Sequence, residues 1–254
     1  MSDEAPKPAE IESSRMSLMD HLEELRRRLL YIVVVLVVAT FASFSFAPQL
    51  FDLLREPLEA VTRTRLQVLS PLELFVTYLK LAMLAGIFVT APWSLFQLWL
   101  FVSPGLYRRE KRWITPFIVL GTLFFFAGGL FAFELVLPMG FRYLAEMVPE
   151  TIETNYSVSL YYSLVVRMIL AFGVVFQLPL IMWVLSAAGI ASPAAYSRFR
   201  KYWLIAAFVI GGILTPPDPF TQIMMAVPLL LFYELGVWGA RIMYRQRTST
   251  SKTP

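Results

Sequence analysis

The sequence predicts an all-α integral membrane protein with six transmembrane helices, and three observations predict it. Of the 254 residues, 57% are hydrophobic and only 16% charged, against roughly 25% charged in an average soluble domain, and the mean hydropathy is +0.63. The apolar residues are gathered into long runs, most of them near or beyond the ~20 residues a helix needs to cross the hydrocarbon core. Lys and Arg are spread unevenly over the segments that join those runs. With the N-terminus inside, sixteen of the 22 fall on the cytoplasmic side and four outside, while Lys80 and Arg167 lie within spans. Cytoplasmic loops carry the basic excess of membrane proteins, so both termini are placed in the cytoplasm.

Residues 1–16, rich in Pro, Glu and Ser, read as a mobile cytoplasmic tail. Residues 17–28 (SLMDHLEELRRR) carry Leu18, Leu22, Leu25 and Leu29 at helical spacing and predict an amphipathic helix on the membrane surface. No short apolar region leads to a small-residue cleavage site, so the first apolar run is expected to stay in the membrane. The spans are placed at about 29–47, 74–101, 114–138, 161–188, 202–214 and 220–239, within a membrane domain of residues 17–241, followed by a cytoplasmic tail of 242–254. The fifth has only thirteen residues and would rise about 20 Å, short of the ~30 Å core. It joins the sixth through Thr215-Pro216-Pro217-Asp218-Pro219, a sharp turn because proline cannot continue a helix. Pro92, Pro179 and Pro228 lie inside spans and predict bends, and Pro104 ends the second. Trp99, Tyr107, Trp113, Tyr202, Trp203 and Trp238 sit near the inner boundary and read as interfacial anchors.

Several chemistries are excluded. There is no cysteine and a single histidine, His21, which removes disulfides, thiolate sites and histidine-rich metal clusters. No phosphate-binding Gly-rich loop with its lysine is present, and no cofactor is expected. The pI of about 9.4 reflects the basic membrane face and interaction with lipid, not a nucleic-acid partner.

The polar residues that remain have two readings each. Glu23 and Glu24 precede Arg26-Arg27-Arg28, and Glu110 lies within Arg108-Arg109-Glu110-Lys111-Arg112. Such carboxylates either neutralise neighbouring arginines on a solvated face or bind a cationic partner, which for a guanidinium means two parallel hydrogen bonds. Lys80, Glu134 and Arg167 fall toward the outer ends of spans and either snorkel or serve a function. Gln97 and Gln177 lie deeper. An amide there hydrogen-bonds another helix or faces a water-filled concavity.

Five segments, in order, resemble the TatC family: HLEELRRRL (21–29), SPLELF (70–75), LFQLWLFVSPGLYRREKR (95–112), AFGVVFQLP (171–179) and LTPPDPFTQ (214–222). The resemblance runs from about His21 to Arg241. It implies a cupped bundle with short fifth and sixth helices, located in the bacterial inner membrane. It also implies a non-enzymatic receptor for twin-arginine signal peptides of folded export substrates. By the same resemblance Glu110 is the principal carboxylate for the arginine pair, with Glu24, Arg26 and Phe101 beside it. TatA/TatB-type single-span proteins are the implied partners, self-association is allowed, and the proton gradient is the implied driving force. Gln97, Gln177 and Lys80 are candidates for partner docking or intramembrane polar contacts. Where relatives commonly carry glutamate this chain has Gln177, which cannot titrate. Pro216, Pro217 and Asp218 match the family's turn, with no role evident for Asp218 beyond capping the helix that follows. A small-solute secondary transporter is the alternative class, although such folds often show matching interruptions in two halves of the chain and this sequence has a short hairpin at one end only.

Overall fold

The structure is a computed structural model, and it describes residues 8–59, 61, 66–102, 114–149, 151, 154–187, 189–214 and 219–250. Nine α-helices account for most of them: α1 (Pro8–Ser43), α2 (Ala47–Glu59), α3 (Glu73–Val102), α4 (Ile114–Phe131), α5 (Leu137–Glu146), α6 (Val158–Val175), α7 (Leu178–Ala187), α8 (Pro193–Leu214) and α9 (Pro219–Thr250). Five helical stretches among the described residues are long and apolar enough to cross a membrane: Leu22–Glu59, Glu73–Phe101, Pro116–Glu146, Val158–Ala187 and Pro219–Ile242.

The helix α3, Glu73–Val102, lies within a residue at each end of the second apolar run, and the other helices depart from their runs for identifiable reasons. α1 begins at Pro8, inside the segment read as a tail, because adding residues to an existing helix costs little once the nucleus has formed. After Ser43 the chain tightens into a 3-10 turn (Phe44–Phe46) and continues as α2, which buries Leu54, Pro57 and Leu58 on one face. Pro138 removes a helix donor from the third span. There α4 passes through a π-helical turn at Ala132–Val136, with the Leu137 N–H bonding the Ala132 carbonyl, before α5 resumes. Pro179 acts more strongly. It leaves the fourth span divided into α6 and α7, with Phe176 and Gln177 as a tight turn in which the Gln177 N–H bonds the Val174 carbonyl at 3.0 Å. Pro92 and Pro228, by contrast, lie inside the continuous helices α3 and α9.

The segment 189–201, expected as a loop, is helical from Pro193, so α8 is longer than its apolar part. α8 packs along α9. The pair is tied by Trp203 Nε1 to the Leu229 carbonyl (3.2 Å), Gln222 Nε2 to the Phe208 carbonyl (2.9 Å) and an Arg200–Glu234 ion pair at 2.6 Å. The turn holding Pro216, Pro217 and Asp218 lies outside the described residues.

Packing is tightest where small residues let backbones approach, as expected when lipid removes the hydrophobic drive between helices. A Cβ on Gly128 of α4 would lie 2.5 Å from the Phe172 carbonyl oxygen of α6, and one on Gly86 of α3 would lie 2.8 Å from Thr40 Oγ1 of α1. The main core gathers around α6, where Tyr162, Val165 and Phe172 are fully buried. The outward faces stay apolar: Val34, Val38 and Phe41 of α1 are exposed. Trp99, read as an interfacial anchor, is instead buried and stacks on Phe117 at 5.1 Å between ring centres. Tyr202 and Trp238 are exposed as anchors should be.

The one departure from an all-α fold among the described residues is a pair of two-residue strands, β1 (Leu66–Gln67) and β2 (Tyr156–Ser157), which run parallel with Leu66 opposite Tyr156 and Gln67 opposite Ser157. They hold the starts of α3 and α6 side by side.

Candidate functional site

The charged end of α1 meets the C-terminal part of α3, and a three-residue polar cluster forms there. Glu24 and Arg28 stand one turn apart on α1. Arg28 donates to Glu24 Oε1 from Nε at 3.0 Å and also from Nη2. Its third arm crosses to α3, where Nη1 donates to Gln97 Oε1 at 3.3 Å. Gln97 is buried, and the Arg28 and Glu24 side chains are 18% and 25% exposed. Gln97 therefore finds its partner within the chain. The pair is partly withdrawn from water, where breaking one partner is costly for the other.

Arg26 is exposed on the same helix. Together with Glu23, Glu24, Arg27 and Leu30 it lines an open groove of about 700 Å³. Phe101, half-buried, closes the last turn of α3. Glu110 lies outside the described residues. The arrangement thus brings Glu24, Arg26 and Gln97 to one helix junction, with a carboxylate already engaged in guanidinium recognition. Of the two readings of Glu24, the structure shows pairing with a neighbouring arginine, Arg28, at the i, i+4 spacing the sequence offers.

The deeper polar residues are each satisfied differently. Gln177, at the turn between α6 and α7, is buried and donates from Nε2 to the Gly121 carbonyl of α4 at 3.0 Å. Its amide oxygen would lie 3.3 Å from a Cβ at Gly121, so a glycine is what admits it. Lys80 reaches from α3 to Ser163 Oγ of α6 at 2.8 Å. Arg167 and Glu134 are exposed on the outside of α6 and the π-helical turn.

A second carboxylate cluster was not anticipated. Glu73, the first residue of α3, is buried and accepts four hydrogen bonds. Three come from backbone N–H groups, of Leu69 (2.5 Å), Ser70 (3.2 Å) and Ser159 (2.6 Å), and one from Ser157 Oγ (2.6 Å). The signal was present: Ser70-Pro71-Leu72-Glu73 before an apolar run is a capping box, in which the glutamate reaches back to the capping residue's N–H. No group of His, Cys, Asp and Glu among the described residues is disposed to hold a metal.

Comparison with known proteins agrees with this geometry. The family model for TatC, Sec-independent protein translocase protein, matches residues 20–228. The TatC protein of Magnetococcus marinus is 38% identical over 232 residues, 91% of this chain and 86% of its own length. That of Aquifex aeolicus is 36% identical over 240 residues, 93% of this chain and 100% of its own, and that of Escherichia coli K12 is 36% identical over 229 residues, 88% of each. A crystal structure of the twin arginine translocase receptor TatC superimposes with a TM-score of 0.81 at 36% identity, covering 88% of this chain and 99% of that one. A second, in the detergent DDM, gives 0.80 at 37% identity over 86% and 98%. Sequence and fold therefore converge: the chain belongs to the TatC family of Sec-independent protein translocase proteins.

Proposed function

We propose that the chain is the receptor and scaffold subunit of a twin-arginine translocase. In this reading it spans the inner membrane six times, with α8 as the short fifth span and both termini in the cytoplasm. The Lys and Arg distribution supports that orientation. The α1–α3 junction then faces the cytoplasm, where export substrates arrive. The arginine pair of a signal peptide engages Glu110 and Glu24, with Arg26 and Phe101 lining the site, and the apolar part of the peptide follows the helical wall of a cupped bundle. TatA/TatB-type single-span proteins dock along the exposed apolar helices and assemble the transport path, driven by the proton gradient. Members of this family are translocase components and not enzymes, so no residue is assigned a catalytic role.

The observation that carries the reading is the Glu24 carboxylate: at a helix junction beside an open groove, it is held in a geometry that accepts a guanidinium. Replacing Glu110 with alanine tests the site. The variant should assemble in the membrane as the wild type does and bind a twin-arginine peptide at least about tenfold more weakly, the loss of one charge-assisted pair. Unchanged binding would remove Glu110 from the site.

A further inference from the structure

We propose that Arg28 is a built-in competitor for the Glu24 carboxylate, occupying the position a peptide arginine takes and left with Gln97 as its acceptor when displaced. The proposal rests on the receptor reading above and adds to it a residue that sets the affinity of the site.

An i, i+4 Glu–Arg pair on an exposed helix would be unremarkable and weak. Two features separate this one. Both side chains are partly buried, so neither charge tolerates the loss of its partner as a solvated one does. And the same guanidinium already bonds a second acceptor, the buried amide oxygen of Gln97 on α3. Arg28 therefore stands between two acceptors. When an incoming guanidinium takes Glu24, two hydrogen bonds from Arg28 are replaced by two from the peptide, and Arg28 keeps its contact with Gln97. Glu24 keeps a guanidinium on its carboxylate throughout, while Arg28 gives up the carboxylate and retains the Gln97 amide. The apparent affinity of the site is reduced by the fraction of time Glu24 is held from within. Because that factor applies to any cation competing for Glu24, Arg28 changes affinity without changing the preference for arginine over lysine.

Arg28→Lys is the decisive variant, since it keeps the charge and loses the planar fork that grips the carboxylate. In the full chain in nanodiscs it should bind a twin-arginine peptide about threefold or more tighter than the wild type, the size expected for loosening a partly exposed pair. Unchanged binding would mean the residue acts only through its charge. Weaker binding, or failure of the variant to fold, would mean it is a brace between α1 and α3. Each of these overturns the proposal. Arg28→Gln should tighten binding more than Arg27→Gln, which removes the same charge one residue away, and equal effects of the two contradict it. Gln97→Leu should weaken peptide binding when Arg28 is present and have no effect in the Arg28→Gln background. An effect that persists there contradicts the exchange. If the wild type binds twin-arginine and twin-lysine peptides alike, the receptor reading fails and this proposal with it. Selective binding by the wild type without tightening in Arg28→Lys overturns the competitor alone.

Discussion

Two buried or half-buried glutamates, Glu73 at the start of α3 and Glu24 on α1 beside the C-terminal part of α3, are treated by the chain in opposite ways. Glu73 is closed in by its donors: three of the four are backbone N–H groups, fixed by the capping turn of α3 and the start of α6, and the fourth is the Ser157 hydroxyl. A carboxylate held by backbone cannot exchange its partners without unfolding the local turn. Glu24 is held by the side chain of Arg28, which also bonds a second acceptor, Gln97. One carboxylate is a fastener and the other a receptacle. The difference lies in the donors and not in the acid.

Breaking the fastener should have the largest effect. Glu73→Ala leaves three backbone N–H groups and the Ser157 hydroxyl without their acceptor, with the β1–β2 pairing beside them. The thermal midpoint of the purified protein should fall by on the order of 5–10 °C, the most of any variant here. Peptide affinity in the surviving folded fraction should be close to that of the wild type. Glu24→Ala should do the reverse. Peptide binding should drop about tenfold, while the thermal midpoint falls by less than in Glu73→Ala because the Arg28 left behind keeps Gln97 and some exposure to water, read by the same melt and by peptide titration. If both variants lose stability alike, the contrast between the two ends is wrong.

Smaller changes sharpen the comparison along the interior of the bundle. Gln177→Leu removes the bond to the Gly121 carbonyl, a group that keeps its own helix, and should cost about 1 kcal/mol in a denaturation series. Gln177→Glu should make that same contact pH-dependent, which the native amide cannot be. Lys80→Met removes the bridge to Ser163 near the Glu73 end and should cost still less, under about 1 kcal/mol, because backbone contacts at Glu73 already hold α3 against α6. A loss from Lys80→Met as large as that from Glu73→Ala would mean that the fastening is shared and not centred on the carboxylate.

Much of this was legible before any coordinates. The helix α3 coincides nearly to the residue with an apolar run of the sequence, because a long apolar run bounded by a capping signal is governed by local chemistry. Pro92, Pro179 and Pro228 all read as bends, but what a proline does to a helix depends on what packs against it: α3 and α9 absorb Pro92 and Pro228, whereas Pro179 divides α6 from α7. The helix of residues 47–59 was hidden because its apolar face is short and is stabilised by long-range contacts, with Tyr161 bonding the Leu54 carbonyl at 2.7 Å and Tyr162 the Phe51 carbonyl at 2.5 Å. Glu24 and Gln97 are both candidates in the sequence, yet nothing local links Arg28 to Gln97, 69 positions away. That link exists only because α1 and α3 cross with Gly86 against Thr40. Glu73 was readable from its capping box, and its meaning as a tie between α3 and α6 was not, since Ser157 and Ser159 come from a distant turn.

The most direct test compares a labelled twin-arginine signal peptide with its twin-lysine counterpart on the purified full chain in nanodiscs. Lysine keeps both charges and gives up the planar, two-bond geometry, so the pair isolates chemistry from net attraction. Arginine should bind at least about tenfold tighter, a difference of ~1.4 kcal/mol, and the preference should vanish in a Glu110→Ala, Glu24→Ala double variant. Equal affinity for the two peptides in the wild type would contradict a guanidinium-reading site at the α1–α3 junction.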